Sequence, residues 1–219
     1  SRVLIIDSVL ADLDFAALHI RTKDDQSRSL ITKYIAQALK SRVALFEGTF
    51  RKYQTSYGLQ ATAAPLLATA AEAAQVVMDE TSFRLHTGSA GSQPYRELFI
   101  SKSPIASEIM LANIYDAALG VLHDANWYYT SSTYGVRASF TRSFINTYLN
   151  IDGTPFTNNP NYATTPFVEE VKGRDGRLSQ TIRTEGYTRI NGGNVVKTPP
   201  VFSYTYTGYQ PIKWTLDDT

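Results

Sequence analysis

The chain has 219 residues, a formal net charge of +1 and no cysteine. So small a net charge gives no reason to expect nucleic acid or an anionic membrane surface as a partner. Without thiols there are no disulfides, zinc–thiolate sites or cysteine nucleophile. No run of about eighteen apolar residues is present, so no segment is expected to cross a membrane.

The length suits one large domain or two small ones. The sequence changes character near residue 86. This divides a helical part, 1–86, from a loop-rich aromatic part, 87–219, and the two are read as one integrated domain. The chain opens on Ser1 with neither a Met nor a signal-like segment, which is expected of a processed or excised chain.

Leu4, Ile5, Val9, Leu10, Leu13, Ala16, Ala17 and Ile20 recur at helical spacing and predict a first amphipathic helix. The polar link "TKDDQS" follows, with Ser27 as the expected N-cap of a second helix. Ile31, Ile35, Ala38, Leu39, Arg42, Leu45, Phe46, Thr49 and Tyr53 trace the expected inner face of that helix. Arg42, on this apolar face, is expected to pair with a buried carboxylate. Gly48 lies inside the helix, at a cost of roughly 1 kcal/mol against Ala, and Gly58 is the expected stop.

A third helix is predicted from Thr62, with Pro65 in its first turn. Its stretch "ATAAPLLATAAEAA" is mostly small, which lets a neighbouring helix approach closely. Long helix, short turn and Ala-rich helix suggest a tetratricopeptide-like antiparallel hairpin.

Beyond residue 86, aromatic residues and turn signals are dense: "GSAGSQP", "IDGTP", "NNPN", "RDGR", "NGGN" and "TPP". Short strands are predicted at 108–114 and 201–207. In the latter, Phe202, Tyr204 and Tyr206 alternate with Ser203, Thr205 and Thr207, a pattern suited to one buried strand face. Arg174, Asp175 and Arg177 in "RDGRL" are expected to lock a turn through charge-assisted hydrogen bonds.

Several motifs then follow in a set order: "SLITKYIAQALKSRVALFEGTFRKY" (29–53), "SFRL" after the Ala-rich helix, "YRELF" (95–99), "SEIML" (107–111), "INTYLNIDGTP" (145–155), "RDGRL" (174–178) and "TGYQPIKW" (207–214). In this order and spacing the chain resembles the SusD/RagB-like outer-membrane nutrient-binding lipoproteins. It departs from them in carrying Gly176 where the family usually has proline. It also lacks the lipidated cysteine and the further helix pairs of longer family members, so it corresponds to the interior of such a protein. The resemblance implies a mainly α fold: tetratricopeptide-like helical hairpins with a loop-rich region containing short strands. It also implies a non-catalytic role, capture of oligosaccharide at the cell surface for a SusC-like TonB-dependent transporter, with some relatives taking peptides. The implied location is the outer membrane, through a lipid anchor absent from this chain. No cofactor is implied.

The candidate ligand-binding residues come from the aromatic segments. A pyranose offers an apolar C–H face to a ring and hydroxyls to polar groups. In "HDANWYYTSSTYGVR", Trp127, Tyr128, Tyr129 and Tyr134 are candidates for stacking, and Asp124, Asn126 and Arg137 for hydroxyl contacts. On a strand, neighbours alternate sides, so at least one of Trp127, Tyr128 and Tyr129 is expected to be exposed or covered by another segment. Tyr209 and Trp214 are further candidates because they leave the alternation of the last predicted strand. The competing reading of all these rings is core packing.

A metal site is not expected, since His19, His86 and His123 are scattered and form no ligand spacing. The alternatives to glycan binding are a carbohydrate hydrolase using Glu108 and Asp116, or a helical scaffold that binds a peptide or a protein.

Overall fold

The structure, a computed structural model, describes residues 1–89, 91–130 and 135–216; the side chains of Asn126, Trp127 and Thr130 fall outside the description. The protein is mainly helical, with one small two-stranded sheet. The chain forms two compact units. One comprises Ser1–Leu85 and Ser103–Ile114, the other His86–Lys102 and Tyr115–Thr219.

The first unit is built on α1 (Arg2–His19), α2 (Lys33–Tyr53) and α3 (Ala63–Glu80). Cross-helix pairs run in opposite order on successive helices. Arg2 meets Glu47 and Asp14 meets Lys40, while Ser41 donates to Ala70 O and Lys33 pairs with Glu80. Each helix is therefore antiparallel to the next. All three expected helices are present, but the buried face of α2 is not the expected one. On α1 the expected face largely turns inward, with Ala17 buried and Val9, Leu10, Leu13, Ala16 and Ile20 half-buried, while Leu4 and Ile5 are exposed. On α2, Leu39, Leu45, Phe46 and Tyr53 are exposed, whereas Ala36, Ala44, Glu47, Gly48 and Arg51 are buried. Arg42 is likewise exposed, and the arginine buried beside a carboxylate is Arg51.

The reason lies in the neighbour. The α3 surface against α2 consists of small side chains, with Ala63, Ala70 and Ala73 buried alongside Leu66. Small residues on both sides bring the backbones together. A Cβ at Gly48 would lie 2.8 Å from Leu67 Cδ2 and 3.2 Å from Leu67 N. Gly48→Ala is therefore expected to lose about 1 kcal/mol net, because overpacking of 1–3 kcal/mol exceeds the helix-propensity gain of about 1 kcal/mol. Urea unfolding of Gly48→Ala with and without Leu67→Ala checks this, and the loss should shrink in the Leu67→Ala background.

The caps also differ from expectation. Thr32, not Ser27, precedes α2, and the Ser27 hydroxyl bonds Asp25 and Ser29 instead. The second helix ends at Tyr53, and Gly58, at φ 66°, closes the short 3-10 turn Thr55–Tyr57 that follows. By length and composition alone, Gln60–Glu80 is apolar enough to cross a membrane, contrary to expectation, although it packs along α2. The 108–114 stretch is not a strand. Within the first unit it is tied down by Ala112 N donating to Arg28 O.

The second unit contains α4 (Pro94–Ile100), α5 (Ala125–Thr130), α6 (Arg142–Ile145), α7 (Phe167–Glu170), and the hairpin β1 (Thr188–Asn191) and β2 (Asn194–Lys197). The hairpin turns through Gly192 and Gly193, both at positive φ, the conformation that favours Gly-Gly in two-residue hairpins. The strand expected at 201–207 is absent. Phe202–Tyr204 is a 3-10 turn, and Phe202 and Tyr206 are exposed. The alternation failed because Thr205, not the aromatics, is buried there; its hydroxyl bonds Ser139 Oγ.

The core of this unit is Ile145, Leu178, Ile182 and Tyr209, with Phe140, Tyr148, Phe167 and Val171 packed on it. The "RDGR" turn is locked as expected. Arg177 holds the Asp175 carboxylate with its side chain and donates its own amide to it. Buried Arg174 donates to Glu170 O, Ile145 O and Tyr148 O and lies 3.9 Å from the Phe156 ring centroid.

Candidate functional site

Within the second unit, four segments distant in sequence form an open cleft of about 520 Å³. One wall comes from Tyr95 of α4, which is backed by Phe99, four positions on and on the same side of the helix. Their rings meet edge-to-face at 5.3 Å. A second wall starts at α6, which Thr141 caps by accepting from Phe144 N. Phe140, Phe144 and Tyr148 follow at intervals of four and form a ladder of rings with centroids 4.7 and 5.8 Å apart.

The 174–182 turn supplies polar groups, Asp175, Arg177 and Thr181. Thr181 Oγ1 lies 3.0 Å from the Tyr148 hydroxyl. The fourth segment carries Lys213 and Trp214. It is held by Ile212 N donating to Thr181 O and by buried Arg96, which donates to Ile212 O and Thr215 O.

The electrostatics of the cleft are local. The Arg177 guanidinium holds the Asp175 carboxyl below its ordinary range, and Asp175 in turn raises Arg177. Burial pushes the Tyr148 phenol upward, so it stays protonated. Trp214 and Phe144 are 40% and 41% exposed, leaving ring surface for a ligand. Neutral aromatic area beside fixed donors and one carboxylate suits binding by stacking and hydrogen bonds.

Of the residues expected at a site, the structure brings Tyr129 and Trp214 together; their rings stack with centroids 6.0 Å apart and planes at 26°. The segment carrying Trp127, Tyr128 and Tyr129 is helical (α5), not extended. Tyr128 is 40% exposed and Tyr129 half-buried. The Trp127 and Asn126 side chains, and Tyr134 as a whole, lie outside the described residues. Asp124 is exposed just before α5, and its carbonyl accepts from Tyr128 N.

Arg137 is committed to the chain itself: it donates to Phe202 O and lies 4.1 Å from the Tyr206 ring centroid. Tyr209 is a core residue, not an exposed one. Its hydroxyl donates to buried Glu170 at 2.7 Å and accepts from Arg142 at 2.9 Å. Glu108 belongs to the first unit and Asp116 to the second, where the Asp116 side chain accepts from Ala118 N.

Tyr95, Phe144, Tyr148 and Lys213 were not singled out in the sequence, since each reads there as ordinary core or surface. The one hint was "YRELF", where an aromatic pair at four-residue spacing flanks an arginine. Among the described residues no group of three or more His, Asp or Glu side chains is placed to hold a metal ion. No family model matches the chain, and neither curated proteins nor solved structures include a match to it.

Proposed function

We propose that this chain is a non-catalytic glycan-binding protein, taking an oligosaccharide into the cleft of the second unit. The observation that carries the reading is the pairing of exposed ring surface, Trp214 and Phe144, with a polar rim of Thr147, Asp175 and Arg177. A pyranose loses water from its C–H face against a ring, and its hydroxyls donate to Asp175 or to the Thr147 hydroxyl oxygen, or accept from Arg177. The cleft also falls within the range of about 300–1,000 Å³ usual for ligand sites.

Binding is favoured over hydrolysis by the carboxylates present. Glycosidases place two of them across the scissile bond, whereas among the described residues this lining has one, Asp175, already held by Arg177. The finer reading is a SusD-like lipoprotein with a tetratricopeptide-like scaffold at the outer membrane, passing its glycan to a TonB-dependent transporter. It rests on the order of the sequence motifs, and the antiparallel helices of the first unit are compatible with it.

Isothermal titration of the whole chain against a panel of oligosaccharides tests the proposal. Trp214→Ala is expected to weaken binding by about 2 kcal/mol, roughly 30-fold. Thermal unfolding of the variant checks that the fold persists. Absence of heat with every oligosaccharide would refute the reading.

A further inference from the structure

We infer that the oligosaccharide bound in this cleft carries a negative charge, and that Lys213 is its counter-ion. The inference rests on the glycan reading above and specifies the class of sugar. The charged side chains lining the cleft are Asp175, Arg177 and Lys213. Asp175 and Arg177 neutralise each other: Arg177 Nε lies 3.0 and 3.1 Å from the two carboxylate oxygens. Among the described residues, Lys213 is left as the uncompensated charge of the lining.

The surroundings of Lys213 stabilise a cation without neutralising it. Its Nζ lies 4.0 Å from the Phe99 ring centroid, 4.7 Å from that of Tyr95 and 5.5 Å from that of Trp214. Ring faces attract an ammonium through their quadrupoles, but they leave its N–H donors without oxygen acceptors. The one acceptor among the described residues is the Tyr95 hydroxyl, 2.6 Å away. An ammonium has three donors, so donor capacity remains for a ligand at the cleft.

The rings hold the charge beside Trp214, the surface on which a pyranose stacks. A carboxylate or sulfate borne by that sugar, or by its neighbour, comes within reach of Nζ. The ligand chemistry is therefore an anionic substituent on a sugar ring, supplied by a uronic acid or a sulfate ester. The chain as a whole carries only +1. A preference for anionic sugars therefore has to arise at this lysine, not from a general field.

The test is isothermal titration of the full chain with three probes of equal length: a neutral oligosaccharide, its uronic-acid counterpart and its sulfated counterpart. At low salt at least one anionic probe is expected to bind about tenfold tighter than the neutral one. That advantage should shrink as salt screens the pair. The choice of anionic probe that shows it distinguishes carboxylate from sulfate. In Lys213→Gln the ratio of anionic to neutral affinity should fall to about one.

Equal affinities for all three probes in the wild-type protein would overturn the inference while leaving the glycan reading in place. A ratio that survives Lys213→Gln would do the same. Binding of none of the probes removes both. Should Lys213→Gln fail to fold, the wild-type protein decides alone: an affinity for the anionic probe that is insensitive to salt overturns the inference.

Discussion

Arg174→Met is expected to destabilise the protein by about 4 kcal/mol, a loss in the range reserved for broken buried networks. The guanidinium is buried and donates at 2.8 Å to Glu170 O, 3.0 Å to Ile145 O and 2.7 Å to Tyr148 O. These carbonyls sit at the ends of α7 and α6 and on the chain just after α6, so a single side chain ties three backbone segments around the core. Methionine fills a similar volume over Phe156 but takes the donor from Glu170 O and Tyr148 O, each at a cost of roughly 1–3 kcal/mol before relaxation, and leaves Ile145 O with only the Tyr148 amide. Arg174→Lys should recover only part of the loss, because one ammonium cannot reproduce the planar fork. Urea unfolding of both variants measures this; a loss below about 1 kcal/mol for Arg174→Met would show that the three bonds are dispensable.

The second large effect is expected in the helical unit. Glu47 is 0% exposed and sits between two guanidiniums. Arg51 Nε donates to Oε1 at 2.8 Å, and Arg2 Nε donates to Oε2 at 2.9 Å. Burial pushes the Glu47 carboxyl up, but the hydrogen bonds from Arg2 and Arg51 outweigh burial and hold it below the ordinary glutamate range. Glu47→Gln removes the counter-charge of buried Arg51 and should cost about 3–5 kcal/mol.

The pH dependence carries the same signature. A carboxyl whose folded pKa is depressed adds stability that is full above its unfolded pKa. That stability is lost as pH falls through the folded value. Wild-type stability should therefore drop on acidification below about pH 4 by more than that of Glu47→Gln. Chemical denaturation across that window compares the two, and parallel pH profiles would assign the acid sensitivity to other groups.

The helices were legible in the sequence because their residues repeat at three and four, and repetition survives any ignorance of the neighbour. Which face is buried was not legible on α2. The large apolar residues Leu39, Leu45 and Phe46 dominate any periodicity, yet the buried residues are Ala36, Ala44, Gly48 and the Glu47–Arg51 pair, with Gly48 against Leu67 of α3 and Glu47 held by Arg2 of α1. Close helix approach selects small side chains, and an ion pair joined at both ends can be buried; neither gives a hydrophobic signal. The Ala-rich composition of α3 was the available clue to that contact.

Local turn chemistry fared better. The "RDGR" lock and the Gly-Gly turn depend on adjacent residues, so they can be read locally. The 201–207 alternation misled because period two describes an extended chain, whether or not that chain finds a partner strand. The cleft was mostly illegible for a different reason. Tyr95, Phe144, Asp175 and Trp214 meet through backbone bonds between 181 and 212 and through Arg96, and no local pattern encodes such pairings. Among the described residues, Trp214 was the one stacking candidate from the sequence that lines the cleft.

The order in which the chain visits its two compact units has a consequence for synthesis. The helical unit draws its last segment from Ser103–Ile114, and it can close soon after that stretch leaves the ribosome. By contrast, Arg96 in α4 bonds partners 116 and 119 positions further on, at Ile212 and Thr215. At translation rates of about 5–20 residues per second, that separation leaves α4 waiting for roughly 6–25 s. The nearest of its distant hydrogen-bond partners, Gln180, which accepts from Arg96 N, lies 84 positions on, so for much of that interval Tyr95 and Phe99 are only partly covered, and the nascent chain presents an apolar segment open to chaperones or to aggregation. Ile212 and Thr215 thus act as a folding latch: a chain truncated before Pro211 would lose part of the seat of a helix made more than a hundred residues earlier.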